Sequence, residues 1–329
     1  MPDILISENI NGAAVDELCA RFDVLRLPDL WKNPEQLAEK AADCRALMVR
    51  NQTQVTAKVI SAASSLIVIG RAGVGLDNVD VKAAEQAGIV VSFTPDQNAI
   101  SVAELAIGLM LSLARSIPEA DRDTKAGNWN RRHFLGTELY GKTLGIVGAG
   151  KIGYLTARRA LAFGMKLIAY DPFLSSDNVL LSDLQAELVE LDELLASADI
   201  VSCHLPSTPQ TTGLLNRARF NKMKRGAFLV NTSRGRVISE HDLIAALKSG
   251  IVGGAALDVR ATEPPVSGEL ESMANVILMP HVGAFTREAQ ERVTNALCAD
   301  VARVLDGKPA LNAVNGAVPK RAGAVTSAR

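Results

Sequence analysis

Short apolar runs alternate with amphipathic stretches through the first hundred residues of the chain. The runs predict strands and the stretches between them predict helices. The predicted strands are residues 4–6, 24–27, 46–49, 66–69 and 89–93, and the predicted helices are residues 13–20, 34–42, 57–63 and 81–86. This βαβ rhythm is typical of a parallel sheet covered by helices. The region has no glycine fingerprint of the dinucleotide-binding kind, so we expect it to do something other than hold a cofactor.

Residues 98–115 predict one long helix, which is apolar on most of its faces. Such a helix is expected to be buried, either between domains or against a second subunit. Residues 118–140 are polar and lack a clear period. We interpret them as an arm or a loop that packs on a neighbour.

The stretch from Lys142 to Pro172 reads as strand, glycine turn, helix and strand. An apolar run leads into Gly148, Gly150 and Gly153. In a dinucleotide site the first glycine permits the tight turn, the second lets backbone approach the pyrophosphate, and the third lets the helix pack closely. The helix N-terminus then offers N–H groups to the phosphates.

Asp171 follows the second strand of this unit, about 20 residues beyond the glycines. A carboxylate at this position accepts hydrogen bonds from the ribose hydroxyls and repels a 2′-phosphate. Neither Pro172 nor Phe173 supplies a cation that would bind such a phosphate. The sequence therefore favours NAD over NADP.

Strand and helix patterns recur to the end of the chain. Further strands are predicted at residues 200–203, 227–230, 251–258 and 276–279, and helices at 239–248 and 287–305. We predict an α/β protein with two doubly wound parallel sheets. A Rossmann NAD-binding domain at 98–285, including the long helix and the arm at 98–140, is inserted into a flavodoxin-like substrate domain made of 1–97 and 286–329.

Bulk properties narrow the function classes further. The chain has 329 residues, a net charge of −1, 48% hydrophobic and 22% charged residues, which gives no electrostatic reason to bind nucleic acid or a membrane. The N-terminus lacks a basic region followed by an apolar core, so we expect a cytoplasmic protein. The four cysteines lack metal-ligand spacing, and we expect neither disulfides nor a metal.

Chemistry-bearing residues follow the strands of the second half. Arg234, Asp258 with Glu263, and His281 each come shortly after a predicted strand. Ligands of parallel sheets bind at the carboxyl ends of the strands, where these side chains would meet. Arg234 suits a substrate carboxylate because its fork binds in two places. His281 suits proton transfer to oxygen, with Glu263 fixing its tautomer.

Each of these residues also has a plain structural interpretation. Arg234 alone fits a surface ion pair, Glu263 a solvated loop acid, and His281 a packed imidazole. Their joint placement favours the catalytic interpretation. Among the other histidines, His204 also ends a strand and is a weaker candidate, whereas His133 and His241 lie in polar surroundings.

The motifs together resemble the D-isomer-specific 2-hydroxyacid dehydrogenases, and within them the 3-phosphoglycerate dehydrogenases. The similar stretches are GRAGVGLDNVD at 70–80, NAISVAELAIGLMLSLAR at 98–115, GTELYGKTLGIVGAGKIG at 136–153, NTSRGRVI at 231–238, GGAALDV at 253–259 and PHVGAFTREAQ at 280–290. The resemblance spans residues 45–317 and implies Arg234, Glu263 and His281 as the catalytic residues.

The resemblance also implies ligand contacts. Cofactor contacts would come from Val74, Gly148, Gly150, Lys151, Ile152, Gly153, Asp171, Leu205, Pro206, Thr232, Ser233, Asp258 and Gly283. Substrate contacts would come from Arg50, Asn51, Val74, Gly75, Arg234 and His281. It further implies a homodimer built on the long helix and the polar arm.

Some positions depart from the resemblance. Asn51 and Gln52 stand where the phosphoglycerate enzymes commonly have small residues, and Val74 stands where a threonine is usual. The chain ends soon after residue 316, so we expect no attached serine-sensing domain and no feedback control of that type.

The leading hypothesis is an NAD-dependent dehydrogenase of a small anionic 2-hydroxy acid, with 3-phosphoglycerate as the first guess. Arg50 and Arg71, with Arg131 or Arg132 from a partner subunit, would meet a second anionic group. Hydroxypyruvate or glyoxylate reduction and sulfolactate oxidation stay open, because an arginine attracts a carboxylate or sulfonate as readily as a phosphate. An alternative of another class is an NAD-sensing binding protein like the transcriptional corepressors that resemble this family.

Overall fold

The computed structural model describes residues 2–175 and 179–320. The chain divides into two compact units, Met1–Asn98 with Arg287–Arg329 (unit 1) and Ala99–Thr286 (unit 2). The strands are β1 Ile4–Ile6, β2 Val24–Arg26, β3 Ala46–Val49, β4 Val68–Arg71, β5 Val90–Ser92, β6 Thr143–Val147, β7 Lys166–Tyr170, β8 Glu187–Leu188, β9 Ile200–Cys203, β10 Ala227–Asn231, β11 Val252–Leu257 and β12 Val276–Leu278. The α-helices are α1 Ala13–Arg21, α2 Pro34–Ala41, α3 Ala57–Ala62, α4 Val81–Gln86, α5 Ala99–Arg115, α6 Ile117–Lys125, α7 Lys151–Leu161, α8 Val179–Leu184, α9 Leu191–Ser197, α10 Arg217–Phe220, α11 Glu240–Lys248 and α12 Arg287–Leu305.

Unit 1 is a parallel sheet with strand order β2-β1-β3-β4-β5. This is the flavodoxin-like order. Alternate residues of its strands pack on opposite faces, with Ile4 and Met48 against α1 and α12, and Leu5 and Leu47 against the side of α2 and α3. Because both faces are covered, the strands read as unbroken apolar runs rather than as alternating ones.

Helix α12 belongs to unit 1 although it lies at the far end of the chain. Leu297 and Val301 approach Gly70 of β4 so closely that a Cβ there would lie 2.8 Å from each. The segment after α12 folds back on that helix, because buried Asp300 of α12 accepts hydrogen bonds from the N–H groups of Leu311 and Asn312.

Unit 2 is a parallel sheet with strand order β12-β11-β10-β9-β6-β7-β8. The order reverses between β6 and β9, which is the Rossmann arrangement and places the ligand crevice at the carboxyl ends of those two strands. Helices α5 and α7 cover one face through residues such as Met110 and Ala157, and α9 to α11 cover the other through Leu194 and Leu243. These two sheets confirm the predicted fold class.

Several elements differ from the sequence prediction. The strand predicted at 66–69 is β4, Val68–Arg71. The polar segment 118–140 contains α6, and none of the residues of α6 is buried, so no apolar period marks it. The polar connection after residue 172 contains α8 and the two-residue edge strand β8, which is too short to show an alternation.

In the described part of the chain, no single helix is both long enough and apolar enough to cross a membrane. Helices α5 and α6 have the length and apolar composition only when taken together, and they are bent by 61° relative to each other.

Candidate active site

The glycine turn after β6 has the close contacts that its sequence predicts. Gly148 has a positive φ of 96°, and its N–H donates to the carbonyl of Tyr170 at 2.8 Å. A Cβ on Gly153 would lie 2.2 Å from the carbonyl oxygen of Gly148, so α7 packs directly on the turn. Among the residues that the structure describes, none has an atom within 4 Å of a Cβ placed on Gly150. The helix therefore begins beside open space, which fits an approaching phosphate.

Asp171 at the end of β7 is tied to this turn. Its carboxylate accepts hydrogen bonds from the N–H groups of Ala149 and Phe173, each at 3.0 Å. A carboxylate has about four lone-pair sites, so both oxygens keep capacity for a ribose hydroxyl. Phe173 is exposed and, like Pro172, carries no charge. These residues fit NAD.

Arg234 lies in a turn that Asn231 builds at the end of β10. The Asn231 side chain accepts from the N–H and the hydroxyl of Ser233 at 3.0 and 2.7 Å, and donates to the carbonyl of Arg234 at 3.0 Å. Nη1 of Arg234 donates to the carbonyl of Ser233 at 2.7 Å. Arg234 is partly buried, and its neighbours Thr232 and Ser233 are buried.

His281 is held in a left-handed backbone conformation by Asp258. Its φ is 57°, which is uncommon for a residue other than glycine. Its N–H donates to the carbonyl of Asp258, and the N–H groups of Val282 and Gly283 donate to the Asp258 carboxylate, all at 2.8 Å. The carboxyl is buried, and burial raises its pKa. Asp258 therefore supports the backbone that presents His281.

Glu263 and His281 form a hydrogen-bonded pair. Nδ1 of His281 lies 2.6 Å from Oε2 of Glu263, and both side chains are about one third exposed. Burial acts to raise the pKa of Glu263, but the hydrogen bonds from His281 and from the N–H of Arg260, with the charges of His281 and Arg234, lower it overall. An ionised carboxylate can only accept, so Nδ1 carries the proton and Nε2 faces away from Glu263.

The other histidines are placed differently. His204 follows β9, and its Nε2 lies 2.9 Å from the hydroxyl of Ser202. Burial lowers the pKa of His204 to about 3, which keeps the ring neutral at physiological pH. His133 and His241 are exposed, and Nδ1 of His241 lies 3.3 Å from Asp242. His204 is therefore a poor general acid.

Leu205 and Pro206 continue the chain past His204. Leu205 is buried, and a Cβ on Gly148 would lie 2.9 Å from its side chain. Pro206 is exposed. On the helix side of the glycine turn, Lys151 is exposed and Ile152 is partly buried. The predicted cofactor residues of unit 2 thus lie around the turn and along the strand ends.

The substrate residues predicted in unit 1 lie on two loops. The carboxylate of Glu8 accepts from the N–H groups of Arg50, Gln52 and Thr53 at 2.8, 3.2 and 2.9 Å and so shapes the first loop. Burial lowers the pKa of Arg50, although the charge of Glu8 opposes this. Asn51 in the same loop is exposed.

The second loop of unit 1 follows β4. Nη1 of Arg71 donates to the carbonyl of Ala72 at 3.1 Å and lies 1.7 Å from where a Cβ on Gly73 would stand, so a side chain at Gly73 would displace the guanidinium. Val74 is 38% exposed and Gly75 is partly buried. In unit 2, Arg131 and Arg132 are exposed in a 3₁₀ turn, Arg131–Phe134.

Sequence reasoning missed Glu8 and Arg260. Glu8 follows β1, and Arg260 follows β11 with its side chain only 9% exposed. Both come just after a parallel strand, so the search of strand ends that found His281 would have found them.

A family model described as D-isomer specific 2-hydroxyacid dehydrogenase, NAD binding domain, matches residues 107–283. The chain is also 44% identical over 314 residues to a D-3-phosphoglycerate dehydrogenase of Archaeoglobus fulgidus. The matched region covers 95% of this chain and 59% of that relative. The chain belongs to the D-isomer specific 2-hydroxyacid dehydrogenase family.

Solved structures agree with this membership. The holo form of a D-mandelate dehydrogenase from Rhodotorula graminis has a TM-score of 0.88 and 32% identity, over 97% of this chain and 99% of that one. A glyoxylate reductase from Paecilomyes thermophila has a TM-score of 0.84 and 32% identity, over 94% and 97%. The family match confirms the predicted family and NAD as the cofactor. The chain spans 56% to 60% of the length of three curated D-3-phosphoglycerate dehydrogenases.

Proposed function

We propose that this member of the family is an NAD-dependent dehydrogenase of a small anionic D-2-hydroxy acid, with 3-phosphoglycerate as the preferred substrate. The contact of 2.6 Å between His281 and Glu263 is the main support, because it joins a proton-transfer group to a carboxylate that orients it. Arg234 is close enough for its charge to lower the pKa of Glu263.

The proposed reaction assigns one task to each residue. Arg234 holds the substrate carboxylate through its guanidinium fork. When bound, NAD supplies the acceptor for the hydride that leaves C2 with both electrons of the C–H bond. Nε2 of His281 takes the hydroxyl proton as the carbonyl double bond forms, and the reverse reaction returns it. Glu263 offsets the charge that the imidazole gains. A 2-oxo acid is the product.

The cofactor would be held by the glycine turn, the start of α7 and Asp171 of unit 2. Unit 1 would bind the rest of the substrate through the Arg50–Asn51 and Val74–Gly75 loops. A second anionic group would meet Arg50 and Arg71, since a guanidinium binds a phosphate in two places. The name of the Archaeoglobus fulgidus relative supports phosphoglycerate.

The test is a panel of 2-hydroxy and 2-oxo acids with NAD and NADP. We expect NAD reduction with 3-phosphoglycerate at a higher kcat/KM than with glycerate, lactate or sulfolactate. Turnover of those acids without turnover of 3-phosphoglycerate would refute the phosphate assignment. Turnover of no 2-hydroxy or 2-oxo acid would refute the function.

Glyoxylate or hydroxypyruvate reduction is the second candidate. Its support is the similarity to the glyoxylate reductase structure, with a TM-score of 0.84. It predicts that NADH oxidation with glyoxylate or hydroxypyruvate exceeds that with any phosphorylated acid in the same panel.

We also propose a cytoplasmic homodimer formed through α5 and the 117–140 segment. Trp129, Leu135 and Tyr140 of that segment are 78%, 94% and 77% exposed, an unusual amount of apolar surface for so short a stretch. Light scattering should give twice the mass of the chain, and Trp129→Ser with Leu135→Ser should give the monomer. Cell fractionation tests the compartment.

A further inference from the structure

A nearly buried arginine outside the catalytic residues, Arg260, joins two connections of unit 2, the one between β10 and β11 and the one between β11 and β12. Nε and Nη2 of Arg260 donate to the two carboxylate oxygens of Glu240 at 3.1 and 3.0 Å. Nη1 donates to Oε1 of Glu271 at 2.6 Å. Glu240 begins α11 after the turn that follows β10, and Glu271 lies in the 3₁₀ turn before β12. One guanidinium thus links the segments that border three neighbouring strands.

The backbone of Arg260 contacts both sides of the catalytic group. Its N–H donates to Oε1 of Glu263 at 3.0 Å. On the other side, a Cβ on Gly235 would lie 1.9 Å from the carbonyl carbon of Arg260, so the turn that carries Arg234 packs against this backbone. The backbone of Arg260 therefore touches both the segment that carries Arg234 and the segment that carries Glu263.

The side chain of Arg260 fixes that backbone. Glu240 binds the guanidinium in two places and also accepts from the N–H of Ala261 at 2.7 Å. The hydrogen bond from Arg260 lowers the pKa of Glu271. Burial acts to lower the pKa of Arg260, but the hydrogen bonds and charges of both glutamates raise it overall. Without the guanidinium, two carboxylates would face each other with no cation between them.

We propose that Arg260 is a positioning residue, whose ion pairs with Glu240 and Glu271 hold the 260–263 turn so that Glu263 meets Nδ1 of His281 beside Arg234. The catalytic consequence rests on the proposed function. The effect on the tautomer of His281 is independent of the proposed function, because the orientation of Glu263 decides which ring nitrogen of His281 carries the proton.

The experiment combines kinetics with ¹⁵N NMR of the histidine rings. Arg260→Met keeps the aliphatic stem and removes the ion pairs, whereas Arg260→Lys keeps the charge. The chain has four histidines, so His281→Asn assigns the signal of His281. Arg159→Met is the matched control, because Arg159 forms a 3.0 Å ion pair with Glu104 in the same unit.

We expect Arg260→Met to lower kcat about 10- to 100-fold with the affinity for NADH unchanged, since small misplacements cost this much. The Nε2-protonated tautomer of His281 should appear beside the Nδ1-protonated one. Arg260→Lys should have a kcat and a tautomer ratio of His281 between those of Arg260→Met and the wild type. Arg159→Met should match the wild type in both.

A wild-type kcat together with an unchanged tautomer in folded Arg260→Met would overturn the proposal. If that variant does not fold, Glu271→Gln decides with the same readouts, since it removes one of the contacts and should act in the same direction. If the wild type turns over no acid, the proposed function fails, and the tautomer of the variants alone decides for or against the positioning role.

Discussion

Replacing Gly153 by alanine should destabilise unit 2 and weaken NAD binding together. The added Cβ would lie 2.2 Å from the carbonyl oxygen of Gly148 and 3.0 Å from the Ile146 side chain. The first distance is about 1 Å shorter than an ordinary contact between such atoms. The carbonyl belongs to the backbone of the glycine turn and cannot rotate away. Helix α7 must therefore move off the turn.

The cost follows from overpacking of this kind, about 1–3 kcal/mol in the free energy of unfolding. For a unit of 150–250 residues, each kcal/mol lowers Tm by about 2–4 °C, so a fall of roughly 4–8 °C is expected for a cost near 2 kcal/mol. Because the displaced helix start is also the proposed site of the cofactor phosphates, the Kd for NADH should rise as well. Differential scanning calorimetry and calorimetric titration measure the two effects.

Gly150→Ala is the matched control. Its Cβ would meet no protein atom within 4 Å, and the backbone has an ordinary negative φ of −66°. Tm should stay at the wild-type value while the Kd for NADH rises, because the methyl group occupies space proposed for the pyrophosphate. If Gly153→Ala had the Tm of the wild type, or if Gly153→Ala and Gly150→Ala lowered Tm equally, the packing argument would be refuted.

Three further outcomes are expected. His281→Asn should bind NADH normally and lose about 10²- to 10⁴-fold in kcat, and normal turnover would remove the histidine from the mechanism. Asp171→Ala should lower the ratio of the Kd for NADPH to the Kd for NADH. An unchanged ratio would contradict the proposal that Asp171 binds the ribose hydroxyls. The pKa of Glu263 is lowered from 4.5, so the carboxylate stays charged below that pH. In the reduction of a 2-oxo acid, where His281 donates the proton, activity is therefore lost as pH falls through the lowered pKa of Glu263. Glu263→Gln should abolish this acid limb in a profile of kcat/KM against pH, and an unchanged limb would assign it elsewhere.

The sequence predicts some elements of the structure better than others, and the reasons are physical. Gly148 and Gly153 were recognisable because only glycine tolerates the positive φ of the first and the close helix contact of the second in a strand-to-helix turn. Fold class was predictable because strands buried on both faces leave apolar runs. Helix α6 was not, since a helix with no buried residue carries no apolar period.

Contacts between distant charges were the hardest to predict. Arg260 stands in a polar loop and reads as a solvated cation, and only folding brings Glu240 and Glu271 to its guanidinium. The left-handed backbone of His281 is equally hidden, because it depends on three N–H groups that Asp258 binds.

In the proposed reaction a hydride passes from C2 of a 2-hydroxy acid to NAD while His281 accepts the hydroxyl proton. The most direct measurement uses 3-phosphoglycerate deuterated at C2 and mass spectrometry of the NADH formed. We expect the wild type to form NADH that carries the deuterium and His281→Asn to form almost none. Unlabelled NADH, or labelled NADH formed at the wild-type rate by His281→Asn, would contradict it.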